Sequence, residues 1–179
     1  MSNRTVTYVD FELDTPAAYW ADLVVPNLRE YKAAPSRRLA MQAATYSWHL
    51  HEWVWHEQHP GEDTRGGDYI TFRNDLVARC PELGWLRDVT DASKHRGLNR
   101  QPEVAEAKPQ FFPAVAGSSG GGLGLGLGLG LGGGRPPTPE HWKFVLMMSD
   151  GSTRDMDNVL RAAARFWEGT IPDIEQAPI

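Results

Sequence analysis

The 179-residue chain is long enough for one well-buried domain with a small appendage, and its 41% hydrophobic and 23% charged residues are an ordinary globular balance. Its net charge of −5 argues against a general polyanion-binding surface, which needs clustered Lys and Arg, and Cys80, the only cysteine, excludes a disulfide framework or a thiolate zinc cluster. No apolar signal core opens the chain and no run approaches the ~20 apolar residues that span a bilayer, so a cytoplasmic protein without a membrane partner is expected.

Residues 4–13 alternate weakly and fit a short strand or an extended lead-in. Asp14-Thr15-Pro16 starts a first helix that runs to about Lys32, with a kink or break predicted at Pro26, which lacks a backbone donor. Pro35-Ser36 restarts the chain into a second helix over about 36–59, ended by Pro60-Gly61. Apolar and aromatic residues nearly encircle it, which marks a central helix covered by several neighbours. Glu62–Gly67 is a polar loop, and Asp68 is the predicted cap of a third helix whose buried face is Tyr69, Phe72, Leu76 and Val77. After Pro81 a fourth helix is predicted to His95, with Trp85, Val89 and Ala92 toward the core and Asp88, Asp91 and His95 on a separate stripe.

Beyond Gly97 the pattern changes. Residues 99–116 look extended, and Gly117–Gly134 contains a strict Leu-Gly alternation that reads as a flexible insertion. His141–Met148 is a predicted strand, Ser149-Asp150-Gly151-Ser152 a hairpin turn, and Ser152–Arg154 the return strand. Asp155 should cap a last helix over about 156–168 with Val159, Leu160, Ala163, Phe166 and Trp167 on its apolar face. The expected architecture is one mainly α (α+β) domain: an antiparallel helical bundle over 1–98, an extended segment over 99–116 and a Gly/Leu-rich insertion over 117–137. A β-hairpin plus helix over 138–171 should pack on the bundle, with a loose tail over 172–179.

The chemistry gathers around Trp48–His59, which holds four of the six histidines and three of the seven tryptophans. With His49 at zero on a helical wheel, Glu52 falls at about 300°, His56 at about 340° and His59 at about 280°, whereas His51 points elsewhere. His59 is expected at an exposed helix end and His51 in a surface or packing position. If the face carrying His49, Glu52 and His56 opposes the face carrying Asp88, Asp91 and His95, histidines and carboxylates converge. Such pairs on packed helices satisfy one another and fix helix register. They also suit a divalent transition metal such as zinc, iron or manganese on His49, Glu52, His56, Asp91 and His95, although neither His-Glu-x-x-His nor Glu-x-x-His is present. A metal-free alternative uses His95 to move a proton at a 2′-hydroxyl or leaving oxygen while Arg87 binds the phosphate. Lys94, Arg96 and Arg100 extend that small basic cluster as candidate RNA contacts.

Trp48-His49-Leu50-x-Glu52-Trp53 and Arg87-Asp88-Val89-x-Asp91-Ala92-Ser93-Lys94-His95 together resemble a group of uncharacterised bacterial proteins with similar His-Leu-x-acid-Trp and Ser-Lys-His stretches. The likeness extends through Asp150-Gly151-Ser152 and Asn158-Val159-Leu160 to Phe166-Trp167, and covers about residues 11–168 apart from the Gly/Leu run. More distantly the chain is similar to HEPN domains, helical bundles of toxins and phage-defence nucleases that carry an Arg, a polar residue and a His on one helix. Arg87, Asp88 and His95 match, with seven residues between Arg87 and His95, one more than in that pattern. The resemblance implies an HEPN-like protein of a bacterial conflict or stress system, cleaving RNA without a cofactor or binding it. Arg87 and His95 would act, supported by Asp88, Asp91, His49, Glu52 and His56. The expected partner is RNA, with a homodimer left open. A third expectation is a non-enzymatic interaction module whose adhesive surface includes the leucines of the Gly/Leu run.

Overall fold

The structure, a computed structural model, describes residues 13–94, 101–112, 141–172, 174, 176 and 177, with 141 and 142 described by backbone alone. Residues 4–12 of the segment predicted over 4–13, His95, Arg96, Arg100 and the Gly/Leu-rich insertion lie outside the described residues.

The first predicted helix is three pieces. Thr15 caps α1 (Pro16–Tyr19) by accepting from Ala18 N, a π-helical turn spans Trp20–Val24, and α2 runs over Val25–Ala33. The break predicted from Pro26 is this wide turn. Its closing bond, Val25 N to Trp20 O, comes one residue before the proline, which has no hydrogen to donate. Trp20 is fully buried there. Ser36 then caps α3 (Arg37–Gln58), the central helix, which packs against α1, α2 and the helices α4 (Gly67–Arg79), α5 (Pro81–Lys94) and α6 (Met156–Glu168). Asp68 is not the cap of α4: the helix begins two residues earlier than that cap implies, Gly66 occupies the cap position, and Asp68 sits in the first turn where a carboxylate favours the helix dipole. Ala92 is exposed on α5, whose fully buried positions include Leu83, Leu86 and Thr90.

The fold is mainly helical with a small antiparallel sheet, as expected for an α+β domain. The extended segment becomes strand β1 (Val104–Phe112), so the expected two-stranded hairpin is a three-stranded sheet of order β1-β2-β3. Strand β2 (His141–Met148) pairs with β1 from Phe112↔His141 to Val104↔Met148, with a bulge between Val104 and Glu106. Gly151, at φ +83°, makes the turn into β3 (Thr153–Asp155), and Asp150 Oδ1 accepts from Ser152 N at 2.8 Å. Asp155 both caps α6 and accepts from Lys143 Nζ at 2.6 Å.

Trp167 locks the last helix to the central one. Fully buried on α6, it donates from Nε1 to Ser47 O of α3 at 2.9 Å, so its large apolar ring is sealed with its one polar atom satisfied. Ile174 and Ala177 pack on the core, and Ala177 N donates to Glu168 at 2.6 Å, so these tail residues are tied to α6 rather than loose.

Candidate functional site

Helices α3 and α5 meet where Trp48 and His49 face Arg87 and Lys94. Seven residues apart, Arg87 and Lys94 lie about 20° apart on the wheel of α5 and about 10 Å apart along its axis, hence on one face. The Arg87 guanidinium lies over the Trp48 ring, 5.8 Å from its centroid, and its Nε is 4.0 Å from Asp88 Oδ1. Lys94 Nζ lies 2.8 Å from His49 Nε2, and His49 Nδ1 lies 3.1 Å from Glu52 Oε1. An ammonium has only hydrogens to give, so Nε2 accepts and the imidazole proton sits on Nδ1, donated to Glu52. The result is a chain from Lys94 through His49 to Glu52.

This chain is open to solvent: the His49 side chain is 27% exposed and that of Glu52 43%. The hydrogen bond from His49 holds the Glu52 carboxyl below its ordinary value against the opposing effect of burial. Electrostatic interaction with His49, His51 and Lys94 adds to the lowering. An ionised carboxylate that fixes one ring nitrogen leaves the other as the working atom of the imidazole, the arrangement that general acid–base chemistry needs.

The remaining predicted residues separate. His56 is exposed and does not join His49 and Glu52. Asp91 is half-buried on α5, about 40° round the wheel from Arg87. Asp88, predicted beside it on a reactive stripe, is 2% exposed, and its Oδ2 accepts from Glu103 N at 2.7 Å and Val104 N at 3.1 Å. It anchors the start of β1, whose first backbone donors it satisfies, instead of facing a substrate. The histidine of the favoured pairing, His95, lies outside the described residues, as do Arg96 and Arg100. Among the described residues no three His, Cys, Asp or Glu side chains are grouped to hold a metal ion. Cys80 is buried, its thiol pushed up to about 11 chiefly by that burial, which leaves it a poor nucleophile.

His51, expected in a surface or packing position, is a packing residue, and its partners are what the sequence did not reveal. It is 1% exposed and bridges α3 to α4: Nδ1 donates to Trp48 O at 2.6 Å and Tyr69 donates its hydroxyl to Nε2 at 2.7 Å. Burial pushes its pKa down to about 4, and its ring lies between Trp48, at 4.1 Å between centroids, and Tyr69, at 5.6 Å. Its hydrogen-bond partner Tyr69 is 18 residues away, so no local spacing marks the pair. His59 closes α3 as its cap residue and stacks on Trp55 at 3.7 Å, half-buried where an exposed end was expected.

Comparison with family models, with curated proteins and with solved structures returns no match. No described helix is long and apolar enough to cross a membrane.

Proposed function

We propose that the α3–α5 face is a metal-independent RNA site in an HEPN-like cytoplasmic protein of a bacterial conflict or stress system. The observation that supports this reading is the solvent-open chain Lys94–His49–Glu52, with Arg87 on the same face of α5. In it, Lys94 turns from His49 Nε2 to a non-bridging phosphate oxygen. The freed Nε2 takes the proton of a ribose 2′-hydroxyl, and Glu52 stabilises the imidazolium that forms. O2′ then attacks phosphorus, and the bond to the 5′-oxygen breaks as that oxygen takes a proton from Lys94. The products are a 2′,3′-cyclic phosphate and a 5′-hydroxyl. Arg87 supplies a second cation for the phosphate. The mechanism moves the general base from His95, favoured on sequence, to His49, keeps Arg87 on the phosphate and Glu52 beside the base, and gives no step to Asp88, Asp91 or His56.

The test uses the purified full chain with fluorophore-labelled single-stranded RNA and the same oligonucleotide carrying 2′-deoxyribose throughout. Wild type should cleave only the RNA, leaving cyclic-phosphate ends. His49→Ala should lose about 100-fold or more in rate and Glu52→Gln less. A protein that neither cleaves nor binds RNA, or cleavage that survives His49→Ala unchanged, would overturn the proposal.

A further inference from the structure

A second concavity, of about 200 Å³, opens between the first turns of α3, the last turns of α5 and strand β1. Its floor is part of the core: Ala40, Val89, Phe144, Leu146 and Met156 are all buried. Its mouth carries Arg37, Ser93 and Glu106, all exposed. Alanine lines it at four positions, Ala40, Ala92, Ala105 and Ala107, where any larger aliphatic residue would reach into the space. The hollow therefore follows from the choice of side chains, and interiors otherwise leave few voids larger than a water molecule.

The charges at the mouth select the ligand. Glu106 is held by Lys108 Nζ at 3.1 Å, so its charge is compensated. Asp88, in the wall, turns Oδ2 to the backbone of Glu103 and Val104. Ser93 spends its hydroxyl proton on Thr90 O at 2.6 Å. Among the described residues nothing forms an ion pair with the Arg37 guanidinium, which lines this hollow and also the open groove beside it along Arg38, Gln42 and Thr45. An apolar floor below one available guanidinium fits a molecule with a hydrocarbon body and a planar anionic head, because the Arg fork matches a carboxylate in two parallel hydrogen bonds.

We propose that this hollow is a binding site for a small amphipathic carboxylate, with a body of about eight carbons on the apolar floor and its carboxylate on Arg37. Arg37 lies twelve residues before His49 on α3, about 18 Å along the axis, and the hollow shares no lining residue with Lys94, His49, Glu52 or Arg87, so this proposal does not rest on the RNA reading.

Calorimetric titration of the full chain with octanoate and with octylammonium tests it. Octanoate should bind saturably at one site, and octylammonium, whose charge faces Arg37, at least ten times more weakly. Arg37→Gln should weaken octanoate about tenfold. Ala107→Phe, at an exposed strand position, should abolish binding, and Ala92→Phe, on the exposed face of α5, should do the same should the strand variant fold poorly. The proposal is overturned by no saturable octanoate binding at millimolar concentration, by equal affinity for the two probes, or by octanoate affinity that Arg37→Gln or both filling variants leave unchanged.

Discussion

His49 and His51 are separated by one residue, and their ring centroids by 6.4 Å, yet they occupy different chemical worlds. His49 stands at the α3–α5 junction between two ionisable side chains, with water beside it. His51 is sealed at the α3–α4 junction between a backbone carbonyl and a tyrosine hydroxyl. Both rings have each nitrogen partnered, so hydrogen-bond count does not separate them. What does is the charge of the partners and access to solvent. Glu52 fixes Nδ1 of His49, and Nε2 meets an exposed lysine that can turn away to leave it to a substrate. The burial of His51 disfavours an imidazolium by more than the Trp48 carbonyl and the nearby Glu52 charge favour it. One histidine is reachable from solvent and the other is part of the interior.

Removing the architectural ring should have the largest effect. His51→Ala leaves a cavity against Trp48 and strips the buried Tyr69 hydroxyl of its acceptor. We expect a loss of about 4 kcal/mol, read from the urea midpoint at constant slope. A loss under about 1 kcal/mol would mean that the α3–α4 junction does not rest on this ring.

The same burial makes the stability depend on pH. In the unfolded chain His51 binds a proton near its ordinary value of 6.5, and in the folded chain only near 4. Above 6.5 both states are neutral and the contribution is fully present. As pH falls below 6.5 the unfolded state alone takes up the proton, so stability is lost until the folded pKa is passed. Between pH 7 and pH 5 the loss from this group should be about 2 kcal/mol. Glu52, whose pKa is lowered from 4.5, adds its own loss only as pH falls below that ordinary value, so the upper window belongs to His51. His51→Asn should flatten the curve between pH 7 and pH 5; an unchanged slope in that variant would assign the effect elsewhere.

How much of this could be read from the sequence follows from the range of the interactions. Local signals sufficed for the caps at Thr15 and Asp155, for the helix restart at Pro35-Ser36, for the Asp150-Gly151 turn and for the interruption near Pro26, because each is decided within about one turn of chain. The His49–Glu52 pair was also legible, as it obeys helical spacing. Contacts between elements were not. The wheel shows that His51 lies off the polar stripe but not that Tyr69 waits there, and it puts Asp88 on a stripe with Asp91 without revealing that a strand starts against it. Lys94 was assigned to RNA by its charge, whereas its position against His49 depends on how two helices cross, which no periodicity encodes.

The smallest expected effect is the most discriminating one. His49 and Glu52 are partly exposed and Lys94 is exposed, so water screens their attraction and the gain is offset by ordering a long lysine chain. Lys94→Ala and His49→Ala should each change stability by less than about 1 kcal/mol, and a double-mutant cycle should give a coupling of about 0.5 kcal/mol that shrinks with added salt. A weak coupling is what an acid–base pair needs, because Lys94 has to leave Nε2 before that atom can take a proton from anything else. A coupling above about 2 kcal/mol, insensitive to salt, would make the chain an interhelical clamp like the His51 bridge. The contrast between the two histidines would then be one of exposure alone, with no bearing on chemistry.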